Sequence, residues 1–444
     1  MTGTPSPNTN VSTRLQRIAE LARKAPDAVL STLAHHIDLD FLREAHRRTR
    51  KDAAPGIDGV TAEEYAVNLD VKLTDLLNRF KSGTYRAPPV KRVYIPKGDG
   101  TSQRPIGMPT FEDKVLQRAV VMVLEQVYEQ DFLDCSYGSR PRRSAQHALD
   151  ALRTSMMASR GGIVIDLDVS NFFGTLKLPI LREFLDQRVK DGVLRKTINK
   201  WLKAGVMEEG QQSYPDDGTP QGGVVSPLLA NIYLHEVLDK WFEDVVKPRL
   251  KGQATLIRYV DDAVIVATDA ADAQRIMEVL PKRFARFGLT VHPEKTKLVP
   301  FRHPWKSNGV QPGTFNFLGF THFWGETGKG GWAVKVRTAK DRLKRALRRV
   351  SEWCRDNRHL PMREQCKALG RKITGHCQYY GRTGNSVALK SFKHGVEKIW
   401  CKWLQRRDQR RCMTLEQFWR LLATVHPLPQ ALCYRSVLRP AANP

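Results

Sequence analysis

Two short apolar, β-branched runs meet within residues 255–268, which read Thr-Leu-Ile-Arg-Tyr-Val-Asp-Asp-Ala-Val-Ile-Val-Ala-Thr. Such runs suit buried strands, and Asp261 and Asp262 between them tolerate the left-handed conformations of a two-residue turn. The pattern predicts a tight β-hairpin with adjacent carboxylates at its tip. Upstream, Gly162 to Val169 predicts another strand, with Asp166 and Asp168 on one face of it. Arg92 to Lys97, the turn Gly98-Asp99-Gly100 and the segment after it predict a basic hairpin on which Lys97 faces Arg104. Apolar positions at helical spacing predict helices through Leu15, Ile18, Leu21 and Ala22, over Phe41 to Arg48, and over Ala271 to Phe287. Phe111 to Tyr128 reads as amphipathic, with Val115, Ala119, Met122, Val123 and Val127 on one face. A strand is expected around Lys297, so strand, helix, hairpin, helix and strand together give a split βαβ sheet.

From Thr338 the pattern changes to helices. Thr338 is expected to cap one whose Leu343, Leu347, Val350 and Cys354 form an apolar stripe, while Lys340, Arg342, Lys344, Arg345, Arg348 and Arg349 crowd the rest. Later helices run over Cys366 to Tyr380, Leu389 to Leu404 and Thr414 to Ala423. Trp353, Trp400, Trp403 and Trp419 fall here, at a spacing that suits a core better than base stacking. The chain therefore divides into a disordered N-terminus (1–12), an extension and the start of a first domain (13–90), a mixed α/β domain (91–330), a basic helical domain (338–435) and a tail (436–444).

Charge identifies the partner class. Lys and Arg number 72 against 46 Asp and Glu, a net +26. Residues 338–412 hold 21 Lys and Arg against 6 Asp and Glu, so +15 of that excess lies on the helical domain. A polyanion is the expected partner, and nucleic acid fits better than membrane, because no apolar run approaches the roughly 20 residues of a spanning helix. The seven Cys form no Cys-x-x-Cys pair and read as reduced thiols of a cytoplasmic protein.

Adjacent carboxylates between apolar strands repel unless a cation compensates them. Mg²⁺, which takes few protein carboxylates and completes its shell with water and phosphate, suits Asp261, Asp262 and Asp168, and with them phosphoryl transfer. Asp166 is either a partner of these ligands or a solvated neighbour. Lys295 and Lys297 are candidate phosphate contacts, against a reading as surface lysines. Asp217-Gly218-Thr219-Pro220-Gln221-Gly222-Gly223 is Gly-rich but lacks the Gly-Lys-Ser/Thr ending of a P-loop; its small residues let backbone approach a base or template.

Tyr259-Val260-Asp261-Asp262 resembles the hairpin of reverse transcriptases, and Asp168 within Ile165-Asp166-Leu167-Asp168-Val169-Ser170-Asn171-Phe172-Phe173 resembles their upstream metal aspartate. The resemblance is to the group II intron-encoded reverse transcriptase/maturase family, from about Leu39 to Arg435. It implies an α+β right hand: fingers and a palm with a split βαβ sheet, then an all-helical thumb, called domain X in maturases. It also implies an RNA-directed DNA polymerase, a nucleotidyltransferase using two Mg²⁺ ions, with Mn²⁺ as a substitute, on Asp168, Asp261 and Asp262. Lys97 and Arg104, in Ile-Pro-Lys…Arg-Pro-Ile-Gly-Met-Pro-Thr, take the triphosphate role. Gln221 contacts the templating pair beside Gly222. Phe173 matches the aromatic that blocks a 2′-hydroxyl, with a core Phe as the alternative. Phe317-Leu318-Gly319-Phe320 resembles the primer grip. Arg342, Arg345, Arg349 and Lys295 would meet template, primer or RNA. Ala54-Pro55-Gly56-Ile57-Asp58-Gly59 resembles the N-terminal extension motif.

The partners implied are group II intron RNA or another structured RNA, an RNA template with a DNA primer, and dNTPs, in the bacterial cytoplasm; a homodimer is left open. Three positions depart from the family: Ser139 where an aromatic is common, Gly174 where Asp usually follows the double Phe, and Val260 where Ala is usual. No His-Asn-His or Cys-pair pattern of the family's C-terminal endonuclease is present, so if the protein serves a mobile intron, second-strand cleavage is expected to come from elsewhere or to be dispensed with. One rival reading is a free-standing, domesticated relative acting in DNA repair or phage defence, which Val260 motivates. The other is a non-catalytic RNA-binding splicing factor, against which the three intact aspartates speak.

Overall fold

The computed structural model describes residues 7–96, 103–208, 211–213, 222–306, 311–328, 330–407 and 414–433. Contacts group them into two units, residues 1–152 with 164–298, and residues 153–163 with 299–444.

The first unit begins with the helix Pro7–Lys24, which buries Val11, Leu15, Ile18 and Ala22. Residues 7–12, expected to be disordered from their polar composition, are therefore helical. Pro7 at the first helical position presets φ where no amide partner is needed, and Val11, 2% exposed, anchors the turn. This helix and Leu39–Arg48 pack on Phe111–Asp131. The Phe111–Asp131 helix is buried around its circumference, including Asp113, Lys114 and Gln117, and so is a central helix instead of the amphipathic one its stripe suggests.

Asp113 accepts a hydrogen bond from Trp201 Nε1 at 3.2 Å, and burial pushes its carboxyl up to about 7. A folded-state pKa raised above the unfolded one means that stability is lost as pH climbs from about 4 to 7. Asp113→Asn keeps the acceptor without the charge. It should stabilise the protein by roughly 2–4 kcal/mol at pH 8 and by nothing below pH 4. Urea melts of both proteins at the two pH values check this.

Strands β1 (Val90–Pro96) and β2 (Gln103–Met108) form the fingers hairpin, with Ile95 opposite Arg104. Strand β3 (Gly161–Leu167) is followed at once by the short β4 (Val169–Ser170). β5 (Val206–Glu208) and β6 (Gln211–Ser213) extend the fingers sheet in the order β2-β1-β5-β6. β7 (Ala254–Tyr259) and β8 (Asp262–Ala267) are the central hairpin. β9 (Thr290–Val291) pairs with β4, and β10 (Lys297–Arg302) completes a sheet of order β10-β3-β8-β7. β8 buries Ala263 through Ala267 without interruption, which is why it reads as an apolar run and not as an alternation. The helix Ala270–Arg286 lies between β8 and β9 in the chain, one residue from each predicted bound. This is the mixed fingers-and-palm architecture expected.

The second unit carries three antiparallel strands, β11 (Phe315–Phe317), β12 (Phe320–Glu326) and β13 (Trp332–Thr338), and then four helices. Glu326 pairs with Trp332, so the domain boundary expected at residue 330 falls inside a hairpin. The helices Lys340–Asp356, Met362–Tyr380, Ser386–Gln405 and Leu415–Thr424 enclose a core of Val350, Cys354, Leu369, Ile373, Phe392, Val396 and Trp400. Trp400 is fully buried and donates to Gln365 Oε1 at 2.9 Å, in keeping with a core role. Thr338 does not cap the basic helix: it ends β13, where its amide donates to Asn385 Oδ1 at 2.8 Å and its hydroxyl accepts from Asn385 Nδ2 at 2.9 Å. The helix starts from Ala339, which has no side-chain cap. Among the described residues no helix is long and apolar enough to cross a membrane.

Candidate active site

The β7–β8 register sets Tyr259 opposite Asp262, so the two-residue turn consists of Val260 and Asp261, and Asp262 is the first residue of β8. The turn expected at Asp261-Asp262 is thus shifted by one residue. Val260 adopts φ +59, the first central position of a turn that usually takes Gly there, and for a β-branched residue this costs about 1–3 kcal/mol. Asp168 stands between β3 and β4. Its main chain is fixed by the amide of His292, which donates to Asp168 O at 2.8 Å, and by Thr296 Oγ1, which accepts from the Asp168 amide at 3.2 Å.

The carboxylates feel one another. Burial raises Asp261, the Asp168 charge adds to the rise, and Arg104 opposes it. Burial pushes Asp166 up to about 7, helped by Asp262 and Asp168 and opposed by Lys297. The four acidic groups and Arg104 therefore share one electrostatic environment. Lys295, a candidate phosphate contact, pairs with Asp168, its Nζ lying 3.1 Å from Oδ2. Among the described residues no three His, Cys, Asp or Glu side chains are arranged to hold a metal ion. In kind, however, the donors fit a hard divalent cation: they are oxygen-only, carry excess negative charge, and already draw an ammonium onto one oxygen.

Gly222 takes φ +119, and a Cβ there would lie 2.4 Å from Gly107 O of β2, so only glycine lets this loop meet the strand that carries Arg104. Gln117 Oε1 anchors the residues that follow, accepting from Val224 N at 2.7 Å and Val225 N at 3.3 Å. Phe173 is half-buried and packs edge-on against the buried Phe172 at 5.2 Å. Behind it, the Asn171 side chain occupies the space over Gly174, where an added Cβ would be 2.3 Å from Nδ2, so the Asp usual at this position does not fit without moving Asn171. Ser139 adopts φ +55, a conformation that bulky residues resist. Lys97 and Gln221 lie outside the described residues, and the hairpin register gives Arg104 the partner Ile95.

In the second unit, Leu318 (φ +49) and Gly319 (φ +80) form the two-residue turn between β11 and β12. Tyr379 Oη donates to Leu318 O at 2.9 Å, and the Ala339 amide donates to Gly319 O at 3.0 Å. Arg342 and Arg349 are exposed on the basic helix, whereas Arg345 is turned inward, 18% exposed and 3.5 Å from Asp341.

Sequence reasoning passed over a cluster behind the central hairpin. Arg258 and Asp239 are both fully buried, and the Arg258 guanidinium reaches Asp239, Asn231, Ser136 and the Val260 carbonyl. Gly138 presses on Tyr259 and Val260 from the same side. The signal was present: a lone Arg inside the apolar run Leu-Ile-Arg-Tyr, and an Asp inside Val-Leu-Asp, are charges that demand partners.

Residues 95–322, about half of the chain, match the model of the reverse transcriptase (RNA-dependent DNA polymerase) family. "Protein YkfC" of Escherichia coli (strain K12) is 36% identical over 290 residues, 58% of this chain and 75% of its own. "Group II intron-encoded protein LtrA" of Lactococcus lactis subsp. cremoris is 36% identical over 231 residues, 51% of this chain and 38% of its own. The "Uncharacterized 91 kDa protein in cob intron" of Schizosaccharomyces pombe is 29% identical over 240 residues, 53% of this chain and 29% of its own. The match thus covers three quarters of the first and well under half of the other two. The matched segment contains Arg104, Asp168, the Val260-Asp261 turn and Asp262, and with it the chain belongs to the reverse transcriptase (RNA-dependent DNA polymerase) family.

Proposed function

We propose that this protein copies structured intron RNA into DNA by two-metal nucleotidyl transfer and assists the splicing of that RNA. The observation that carries the polymerase reading is the shared electrostatics of Asp168, Asp261, Asp262 and Arg104 in the palm of a reverse transcriptase fold. Asp168, Asp261 and Asp262 would hold Mg²⁺, which when bound supplies Lewis-acid activation of the primer 3′-hydroxyl and charge neutralisation on the triphosphate. The chain's own part is positional. Lys295, 3.1 Å from Asp168 Oδ2, compensates that carboxylate and would be a phosphate contact if a bound cation took its place there. Arg104, with Lys97, balances triphosphate charge. Phe173 limits room at the sugar, Gln221 beside Gly222 meets the templating pair, and the backbone turn Leu318-Gly319 steadies the primer end.

The intron side of the proposal rests on the name of LtrA and on the basic helix Lys340–Asp356, whose Arg342 and Arg349 face solvent. Binding through many phosphates predicts a steep salt dependence, with RNA affinity falling about 10³-fold or more between 50 and 200 mM salt. Filter binding across that range checks it. The test of the whole is to pull the protein from its host, sequence the bound RNA, and supply that RNA as template with a DNA primer, dNTPs and Mg²⁺. One structured intron in the pull-down, extended by the protein, is the expected result. Diffuse cellular RNA, or one unrelated non-coding RNA, would favour a repair or defence enzyme; intron binding without extension would leave a splicing factor.

A further inference from the structure

We propose that Arg258 is a positioning residue for polymerisation, which holds the Val260 carbonyl and thereby keeps the strained turn that presents Asp261. The proposal rests on the polymerase reading above and adds to it a residue outside the carboxylate set.

The turn needs such a device. Val260 occupies a left-handed position where a β-branched side chain is disfavoured, and nothing in a valine stabilises that conformation. A turn of this kind persists only when its surroundings over-determine it. Arg258 does this with its entire donor set. Nε donates to Asp239 Oδ1 at 2.7 Å and Nη2 to Asp239 Oδ2 at 2.5 Å. Nη2 also donates to Ser136 Oγ at 2.8 Å, and Nη1 to Asn231 Oδ1 at 2.9 Å. The fifth hydrogen bond runs from Nη1 to Val260 O at 3.0 Å.

The main chain of Arg258 is fixed as well. Its amide donates to Cys135 O at 2.7 Å, and its carbonyl accepts from the Tyr137 amide at 2.9 Å. Asn231 Nδ2 donates to Gly138 O at 2.8 Å, so the residue that orients Nη1 also holds the segment pressed against Val260. An ordinary buried ion pair would require only Asp239, and packed apolar residues replace such pairs at little cost. No apolar pair, and no lysine, can hold Asp239 with two parallel bonds and the backbone carbonyl of Val260, next to Asp261, at once.

The test uses Arg258→Lys, Val260→Gly and the double variant in the full-length protein, each first shown to melt cooperatively. Lysine still compensates Asp239 but releases Val260 O. Arg258→Lys should lower kcat by about 10²-fold and raise the Mg²⁺ concentration for half-maximal extension about tenfold, leaving KM for dNTP within twofold. Glycine adopts positive φ without strain, so adding Val260→Gly should recover at least tenfold of the loss. Mn²⁺ binding to the protein alone, followed by the electron paramagnetic resonance of the free ion, should weaken in Arg258→Lys and recover in the double variant. Unchanged metal dependence, or losses that simply multiply in the double variant, would overturn the proposal. Should Arg258→Lys fail to fold, Asn231→Ala leaves the ion pair intact and frees Nη1; a threefold rise in the Mg²⁺ requirement supports the role and none refutes it. The Mn²⁺ isotherm needs no primer extension, so an inactive wild-type protein would sink the polymerase reading while leaving this test in force.

Discussion

Asp261→Asn should reduce primer extension by at least about 10³-fold while leaving RNA affinity within about threefold of the wild type. The amide keeps the size of the side chain but removes a charge from the site that is to hold Mg²⁺, and transition-state charge in phosphoryl transfer is balanced almost entirely there. RNA affinity depends on other groups. The basic residues of Lys340–Asp356 and the chain's overall excess of +26 would supply the phosphate contacts of the proposed RNA binding whatever the state of the turn. The substitution also removes a carboxylate that burial and Asp168 hold in an unfavourable charged state, so the variant should melt at or above the wild-type temperature. Single-turnover extension, filter binding and a thermal melt on one preparation separate the three quantities. Equal losses of extension and RNA binding would contradict the assignment of Asp261.

The aspartates were legible because they break apolar runs. Asp168 directly follows one strand and Asp262 begins another, and a carboxylate beside buried apolar residues has few explanations. Which residues form the turn was not legible: Asp-Asp satisfies turn chemistry better than Val-Asp, and only the register, with Tyr259 opposite Asp262, shows that Val260 carries the positive φ. Propensity lost to tertiary context, since Arg258 and Gly138 fix the turn from behind.

The same competition explains the other differences. Thr338 has the right residue type for a cap, but Asn385, far along the chain, takes both its polar groups. The stripe on Phe111–Asp131 is visible in sequence, whereas the burial of Asp113 and Gln117 on its other side depends on Trp201 and on the amides of Val224 and Val225. Lys295 reads as a candidate phosphate contact or a surface lysine, and only the fold brings it 3.1 Å from Asp168. In each case the missing information is a partner distant in the chain, which local pattern cannot supply.

Gly138→Ala should destabilise the protein by roughly 1–3 kcal/mol and lower extension by about 10- to 10²-fold in whatever fraction stays folded. Gly138 is not at positive φ, so the cost is one of contact. An added Cβ would lie 2.5 Å from Val260 N, 2.6 Å from Val260 Cγ2 and 2.8 Å from Tyr259 C, and two of these three atoms are backbone. Gly138 cannot retreat freely, because Asn231 Nδ2 holds its carbonyl at 2.8 Å and the Tyr137 amide holds Arg258 O at 2.9 Å. The hairpin must move instead, which lengthens the bond from Arg258 to Val260 O and displaces Asp261. Adding Val260→Gly removes the Cγ2 contact and the turn strain but not the contact with the amide nitrogen, so it should restore part of the stability and not all of it. Thermal melts with extension rates normalised to folded protein check both effects. A Gly138→Ala protein as stable and as active as the wild type would show that the segment yields, and that the close approach of Gly138 to Val260 does not hold the turn.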